Sequence, residues 1–345
     1  MFFSTVKKPF FYLLNKSIAY CLLPIAYCPL PFAELTKNAM LKNYLSLIKF
    51  SHTIFAMPFA MIGFVLALMS GPFSITWNLG GPAEWMDPLW RTIGTRDLLL
   101  KLFLVVLCMV FARSAAMAFN RWLDKNFDAK NPRTAIREIP AGIISANNAL
   151  IFVIINCIAF IITTWFINRI CFYLSFVALF IILFYSYTKR FTPLCHLVLG
   201  LGLSLAPIGA YLAVTGRFDI VPVLFSIIVL CWVSGFDVIY ALQDEEFDRS
   251  QQLKSIPVWL GKKRALRFSE ILHTICGVLV IIIGMFTPFS WLYWIGTAIF
   301  CGMLIYQHSI VKPNDLSKVN IAFMTANGVA SVAFAVFVIL DMLIL

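Results

Sequence analysis

Asn120, Asp124 and Asp128 stand at four-residue steps within residues 113–137, RSAAMAFNRWLDKNFDAKNPRTAIR. On a helix each step of four turns a side chain by roughly 40° and advances it by roughly 6 Å, so the three groups line one face at one end of a helix. An apolar run precedes them, and Lys130, Arg133 and Arg137 follow. Oxygen ligands beside cations are what a metal-bridged diphosphate requires. Carboxylates hold a hard, partly hydrated cation such as Mg2+, and Lys or Arg take the phosphate charge. Residues 237–254, DVIYALQDEEFDRSQQLK, repeat the arrangement. Asp244 and Asp248 are four apart, Asp237 and Tyr240 lie seven and four residues before Asp244 on the same helical face, and Lys254 follows. One acidic run at a membrane surface is ordinarily a solvated helix end. Two runs, each closing an apolar span and each trailed by cations, point to a shared site.

The elements that position these groups are membrane helices. Hydrophobic residues make up 61% of the 345 and charged residues only 12%, against about a quarter charged in a soluble domain. In a bilayer every backbone polar group must pair internally, and apolar runs near 20 residues without strand alternation select helices. The fold class is therefore all-α, a polytopic membrane protein. About nine spans are expected from Met40 onward: 44–69, 98–120, 147–167, 171–188, 194–214, 221–241, 267–286, 288–308 and 320–343. They surround a central cavity. The second span ends in the first acidic motif and the sixth runs into the second, which suggests two similar four-helix halves and an added ninth helix. The loop 70–97 carries Trp77, Trp85 and Trp90, residues that favour the membrane interface.

The formal charge of +11 does not indicate nucleic acid, because the basic residues fall in short loops between spans. Of the 27 Lys and Arg, 22 fall on the side of the N-terminus and of the loops after spans two, four, six and eight; without the first 39 residues the split is 18 against five. The positive-inside rule puts both acidic motifs, and the mouth of the cavity, on the cytoplasmic side of an inner (plasma) membrane, where Mg2+ and diphosphates are found. The nine cysteines are scattered and form no CxxC pair, so neither a zinc site nor a disulfide framework is indicated. His52, His196, His273 and His308 lack metal-ligand spacing and read as packing residues. Glu245 and Glu246 read as solvent- or neighbour-facing, and Asp341 as a helix-end residue.

The stretch NRWLDKNFD resembles the NxxxDxxxD first motif of the UbiA superfamily of membrane prenyltransferases, and DVIYALQDEEFD resembles its second, DxxYxxxDxxxD. Tyr185 and Lys189 in YSYTK are similar to its YxxxK element. The likeness runs from about residue 41 to the C-terminus, which sets a UbiA-like transmembrane prenyltransferase domain at 40–345 after an N-terminal extension at 1–39. The resemblance implies transfer of a polyprenyl group from polyprenyl diphosphate to an aromatic acceptor with Mg2+. Asn120, Asp124, Asp128, Asp244 and Asp248 would hold the metal. The four aspartates and Tyr240 would carry the catalysis, with the Tyr240 ring facing the allylic cation. Arg133, Arg137, Lys189, Tyr185, Asp237 and Lys254 would bind the substrates. Arg113, two turns deeper than Asn120, would pair with the carboxylate of an aromatic acid; its alternative is a helix-end Arg snorkelling to the interface. Lys189 and Arg190 could also serve only as topological charges. The stretch FNRWLDKNFDAKNPRTAIREIPAG looks most like the 4-hydroxybenzoate type, within quinone biosynthesis; a naphthoate or futalosine-route menaquinone precursor is the alternative acceptor. A membrane transporter with an intramembrane ion site is the rival from another class. Acids at helix ends beside cations disfavour it.

Residues 18–31 repeat as IAYCLLP and IAYCPLP, and three prolines across the two units make a poor spanning helix. Met40 is the expected true start. N-terminal mass spectrometry of the native protein tests this: a mature chain beginning at Met40 is expected, and one retaining earlier residues refutes it.

Overall fold

The computed structural model describes residues 39–48, 55–69 and 94–344. The expectations for the N-terminal extension, for the tryptophan loop and for His52 lie outside them. The chain divides into two units, Met1–Ser46 and Leu47–Leu345. The described element that opens in the first is α1, Ala39–Leu47. The second unit carries the rest.

Every regular element of the second unit is helical among the described residues. They are α2 (Met57–Leu68), α3 (Thr95–Leu123), the one-turn α4 (Lys125–Asp128), α5 (Ala146–Ile167), α6 (Arg169–Thr188), α7 (Cys195–Thr215) and α8 (Ile220–Ala241). A 3-10 turn (Leu242–Asp244), α9 (Glu245–Ser250), α10 (Ile256–Leu260), α11 (Lys262–Phe286), α12 (Trp291–Ile310), a π-helical turn (Ile321–Ala326) and α13 (Asn327–Ile344) complete the unit. Among the described residues, seven helical segments are long and apolar enough to cross a membrane. Of the nine expected spans, the first is represented by the twelve-residue α2. The eighth corresponds to α12, whose Trp, Tyr, Gln307 and His308 lower its hydropathy, and it is not among the seven.

Polar termini define the helix starts. Ser145 Oγ, Asn168 Oδ1 and Asp219 Oδ1 accept backbone N–H bonds at the N-termini of α5, α6 and α8, satisfying donors that a helix leaves orphaned. Asn168 alone separates α5 from α6. Its amide Nδ2 also donates to the carbonyls of Leu212 (2.8 Å) and Ala213 (3.3 Å) at the end of α7. Lys101 Nζ reaches the carbonyls of Ala213 and Val214 there, at 3.2 and 3.1 Å. Glycine sets the closest approach: a Cβ on Gly200 of α7 would collide with Ser234 Oγ and the Leu230 carbonyl of α8.

The core is aromatic and lies around α8. Trp232, fully buried, meets Phe59 of α2, Phe300 of α12 and Phe236. The outer faces of α5 and α6 expose Trp165, Phe166, Tyr173 and Phe180, the signature of surface turned to lipid rather than water. Within the core one amide satisfies several elements. Asn327 Oδ1 accepts from Trp232 Nε1 (2.9 Å) and Gln307 Nε2 (2.8 Å), and its Nδ2 donates to the carbonyls of Ala322 and Phe323 at the π-helical turn. Asp341, expected as a helix-end residue, is fully buried and caps a neighbour instead: it accepts from Ser290 N (2.8 Å) and Tyr293 N (3.2 Å) at the start of α12. His273 and His308 pack as a pair, Nδ1 to Nε2 at 2.9 Å.

Asn327→Leu strips partners from two buried donors at once, and each orphaned group costs about 1–3 kcal/mol. A lower melting temperature in detergent is the expected outcome, with Asp341→Ala, which acts through the α12 cap, as an independent comparison; an unchanged melting temperature for Asn327→Leu refutes the hub.

Candidate active site

Both acidic motifs sit where a long helix breaks. The 29-residue α3 spans about 43 Å, more than the roughly 30 Å hydrocarbon core, so its last turns emerge from the apolar layer. It stops at Asp124, whose φ −92°, ψ 7° lies in the bridge region, and α4 follows. Likewise α8 passes through the 3-10 turn to Asp244 (φ −102°, ψ 2°) before α9. The sequence spacing predicts one uninterrupted helix through each motif, and the structure corrects this. The helix breaks, yet around the first motif the i→i−4 bonding continues, Asp124 N to Asn120 O at 2.9 Å and Asp128 N to Asp124 O at 2.8 Å. The acids therefore keep a common face across the break.

That face borders a chamber of about 320 Å3. Asn120, Asp124, Asp128, Arg133, Arg137, Lys189, Asp237, Tyr240, Asp244 and Asp248 all line it, with Arg113 and Tyr185 at its deep end. Four of its carboxylates are matched one to one with Lys or Arg. Asp124 Oδ1 accepts from Arg190 Nη2 at 2.9 Å, and both Asp128 oxygens accept from Arg137 Nη1 at 2.9 Å. Asp244 receives Arg133 through Nε (3.1 Å) and Nη2, and Lys189 Nζ lies 2.7 Å from Asp248 Oδ1. Burial pushes the Asp124 carboxyl above its usual range, with Arg190 pulling against it. Burial works to lower Lys189, but Asp248 outweighs it and holds the ammonium above its ordinary value. Among the described residues no three acids, histidines or cysteines gather closely enough to hold an ion in this arrangement.

The loop after α4 is fixed from beneath. Arg121, 3% exposed, pairs with Glu138, and Thr134 Oγ1 donates to the Asp128 carbonyl at 3.1 Å. These contacts hold Arg133 and Arg137 over the chamber. Arg133 also donates to Tyr240 Oη at 2.9 Å, its guanidinium carbon sits 5.4 Å from the Tyr240 ring centre, and Phe323 packs against that ring at 4.3 Å.

A second cavity of about 330 Å3 adjoins the first, walled by apolar side chains of α3, α5, α6 and α7. Arg113, Met117, Tyr185, Leu199 and Leu203 line both. Val177 and Phe218 on its wall are more than half exposed, so it opens toward the lipid-facing flank.

Lys254 is the one expected site residue not brought to the chamber. Its Nζ donates to the Phe191 carbonyl (3.2 Å) and its backbone N–H to the Lys189 carbonyl (2.7 Å), so it pins the Lys189 backbone. Three residues escape the sequence reading. Arg190, a topological charge on that reading, holds Asp124; its place beside Lys189 is the available signal. Asn131 reaches Asp244 at 3.5 Å. His196, expected to pack, lines the chamber with its Nδ1 2.7 Å from Asp237 Oδ2; nothing in its local sequence marks it. Glu245, expected to face solvent or a neighbouring helix, is 12% exposed and paired with Arg249, whereas Glu246 is 91% exposed.

A model of the UbiA prenyltransferase family matches residues 56–329. The chain belongs to this family. The chain is 29% identical over 277 residues to a 4-hydroxybenzoate octaprenyltransferase of Tolumonas auensis, covering 74% of this chain and 96% of the relative. It is 29% identical over 231 residues to one from Francisella tularensis, covering 67% and 81%. A UbiA homolog from Aeropyrum pernix K1 in its apo form superposes with TM-score 0.66 at 26% identity, over 85% of this chain and 97% of that one. One from Archaeoglobus fulgidus bound to GPP and Mg2+ superposes with TM-score 0.63 at 20% identity, over 87% and 99%. The chain is thus a prenyltransferase, with the helical fold of the family and segments long and apolar enough to cross a membrane.

The burial of each carboxylate ranks the four ion pairs of the chamber. Asp248 is 1% exposed and Asp244 15%. Removing the partner of a buried charge costs about 3 kcal/mol or more, and of a more hydrated one about 1 kcal/mol. Lys189→Met is expected to lower the melting temperature more than Arg133→Met does; the reverse order, measured in one detergent, refutes the ranking.

Proposed function

We propose that this prenyltransferase moves a polyprenyl group from polyprenyl diphosphate to the ring of 4-hydroxybenzoate, ortho to its hydroxyl, in quinone biosynthesis. One observation carries the reading: a chamber of paired carboxylates and cations adjoins an apolar cavity of similar size through Arg113 and Tyr185. A diphosphate needs the first and an isoprenoid tail the second. The relatives named 4-hydroxybenzoate octaprenyltransferase support the acceptor and the donor.

The donor set suits Mg2+. Asn120, Asp124 and Asp128 on one side and Asp244 and Asp248 on the other offer hard oxygen atoms, the preference of that ion. These residues would hold it; the fold relative from Archaeoglobus fulgidus is bound to GPP and Mg2+. Bound there, it supplies positive charge against the leaving diphosphate. The protein's own groups do the rest. Arg133, Arg137, Lys189 and Arg190 are the donors for phosphate oxygens. Arg113, on both cavities with its Nε buried and without a partner, offers its guanidinium to the acceptor's carboxylate. The Tyr240 ring presents a π face to a developing allylic cation, and apolar walls keep water from quenching it. By the excess of Lys and Arg beside the motifs, the chamber mouth faces the cytoplasm.

Membranes carrying the protein, given Mg2+, an all-trans polyprenyl diphosphate and labelled 4-hydroxybenzoate, are expected to form a prenylated product. Chelation of Mg2+ is expected to stop it, and Asp124→Asn/Asp244→Asn to reduce it about 100-fold or more. Absence of product with 4-hydroxybenzoate, alongside product from a naphthoate acceptor, refutes the assigned acceptor; a fully active double variant refutes the assigned metal residues.

A further inference from the structure

Five aspartates line the chamber, and four of them are matched to Lys or Arg. Asp237 is the exception. Its partner is His196, in the first turn of α7, with Nδ1 2.7 Å from Asp237 Oδ2. The imidazole is 4% exposed, and its Nε2 has no hydrogen-bond partner. Among the described residues the other oxygen of Asp237, Oδ1, has no hydrogen bond either, and the side chain keeps 22% exposure where it borders the chamber. This carboxylate is also placed apart from the diphosphate groups. It lies seven residues before Asp244 on α8, about 10 Å deeper along the helix axis. Arg113, whose guanidinium is assigned to the acceptor's carboxylate, lines the same chamber.

Prenylation of an aromatic ring releases one proton. A new bond forms between the prenyl C1 and a ring carbon while the C1–O bond to diphosphate breaks, and the diphosphate leaves with that electron pair. The attacked carbon then carries both the prenyl group and a hydrogen. Its C–H pair must return to the ring, and the proton must go to a base. Water is kept out of the apolar end, and the other four aspartates are committed to cations. We propose that Asp237 Oδ1 accepts this proton and that His196 is the positioning residue, its Nδ1–H fixing Oδ2 so that Oδ1 points to the ring. The inference rests on the proposed transfer to an aromatic acceptor. A carboxylate this deep in an apolar bundle is costly as a bare charge. The imidazole engages Oδ2 alone and leaves Oδ1 without a hydrogen bond. Oδ1 of Asp237 thus presents a free lone pair to the chamber, whereas its four neighbours face Lys or Arg.

The test reads rates with ordinary and ring-deuterated 4-hydroxybenzoate in membranes supplied with Mg2+ and all-trans octaprenyl diphosphate. Where proton loss follows a slower C–O cleavage, the wild-type rate ratio is close to unity. In His196→Ala the transfer rate is expected to fall about 100-fold and the ratio to rise to about two or more, as proton loss becomes limiting. His196→Asn keeps an N–H at the Nδ1 position and is expected to recover most of the rate and the wild-type ratio. Asp237→Asn, which keeps the side-chain shape but removes the base, is read in the same way should the alanine variant fail to accumulate, and a raised ratio is expected there too. A slowed His196→Ala or Asp237→Asn with the wild-type ratio, or a fully active one, overturns the inference while leaving the transfer reaction intact. A wild-type protein that prenylates no aromatic acid overturns the proposed function and this inference together.

Discussion

Charge compensation inside an apolar bundle is the constraint on which the site depends. Five carboxylates face one chamber, and each is answered by a basic side chain: Arg190, Arg137, Arg133, Lys189 and His196. Uncompensated, such groups would be excluded from this depth. The pairing therefore does structural work. It ties α4 to the loop that follows it, the end of α6 to both α3 and α9, and α7 to α8. The site is also the joint between the elements that build it, which is why the buried Arg121–Glu138 pair behind it matters: it sets the height of the loop carrying two of the five partners.

The same pairs prepare the chamber for its cargo. Carboxylates prefer a hard cation and guanidinium groups prefer phosphate oxygens. A complex of divalent ion and diphosphate offers each of them its better partner together. The chamber without cargo is close to neutral, and it becomes selective through the geometry of paired groups rather than through a large net field.

Much of this is legible in the chain. The four-residue spacing of Asn120, Asp124 and Asp128, and of Tyr240, Asp244 and Asp248, keeps its meaning because the helical course resumes beyond each break in the bridge region. The breaks themselves are not legible, since no Pro or Gly marks Asp124 or Asp244. Helix positions follow hydropathy wherever apolar runs are long; α12, diluted by Trp, Tyr and Gln307, shows where the rule weakens. Partners across the chamber are the least accessible feature. Arg190 and His196 lie 66 and 41 residues from the aspartates they hold. Spacing along one helix says nothing about what a different helix brings opposite it. The place of Lys254 is hidden for the same reason: a cation after a motif need not turn inward, and this one meets the backbone carbonyls of Phe191 and Lys189.

The far end of α7 gives the bundle a mechanical character. Its last carbonyls, at Leu212, Ala213 and Val214, are stapled by the amide of Asn168 and the ammonium of Lys101, while its first turn holds the chamber through His196. Helices joined firmly at one end and by exchangeable ion pairs at the other behave like the legs of a clothes peg. The base stays shut, and whatever yielding is needed to admit a long, greasy substrate falls to the mouth and the lipid-facing flank.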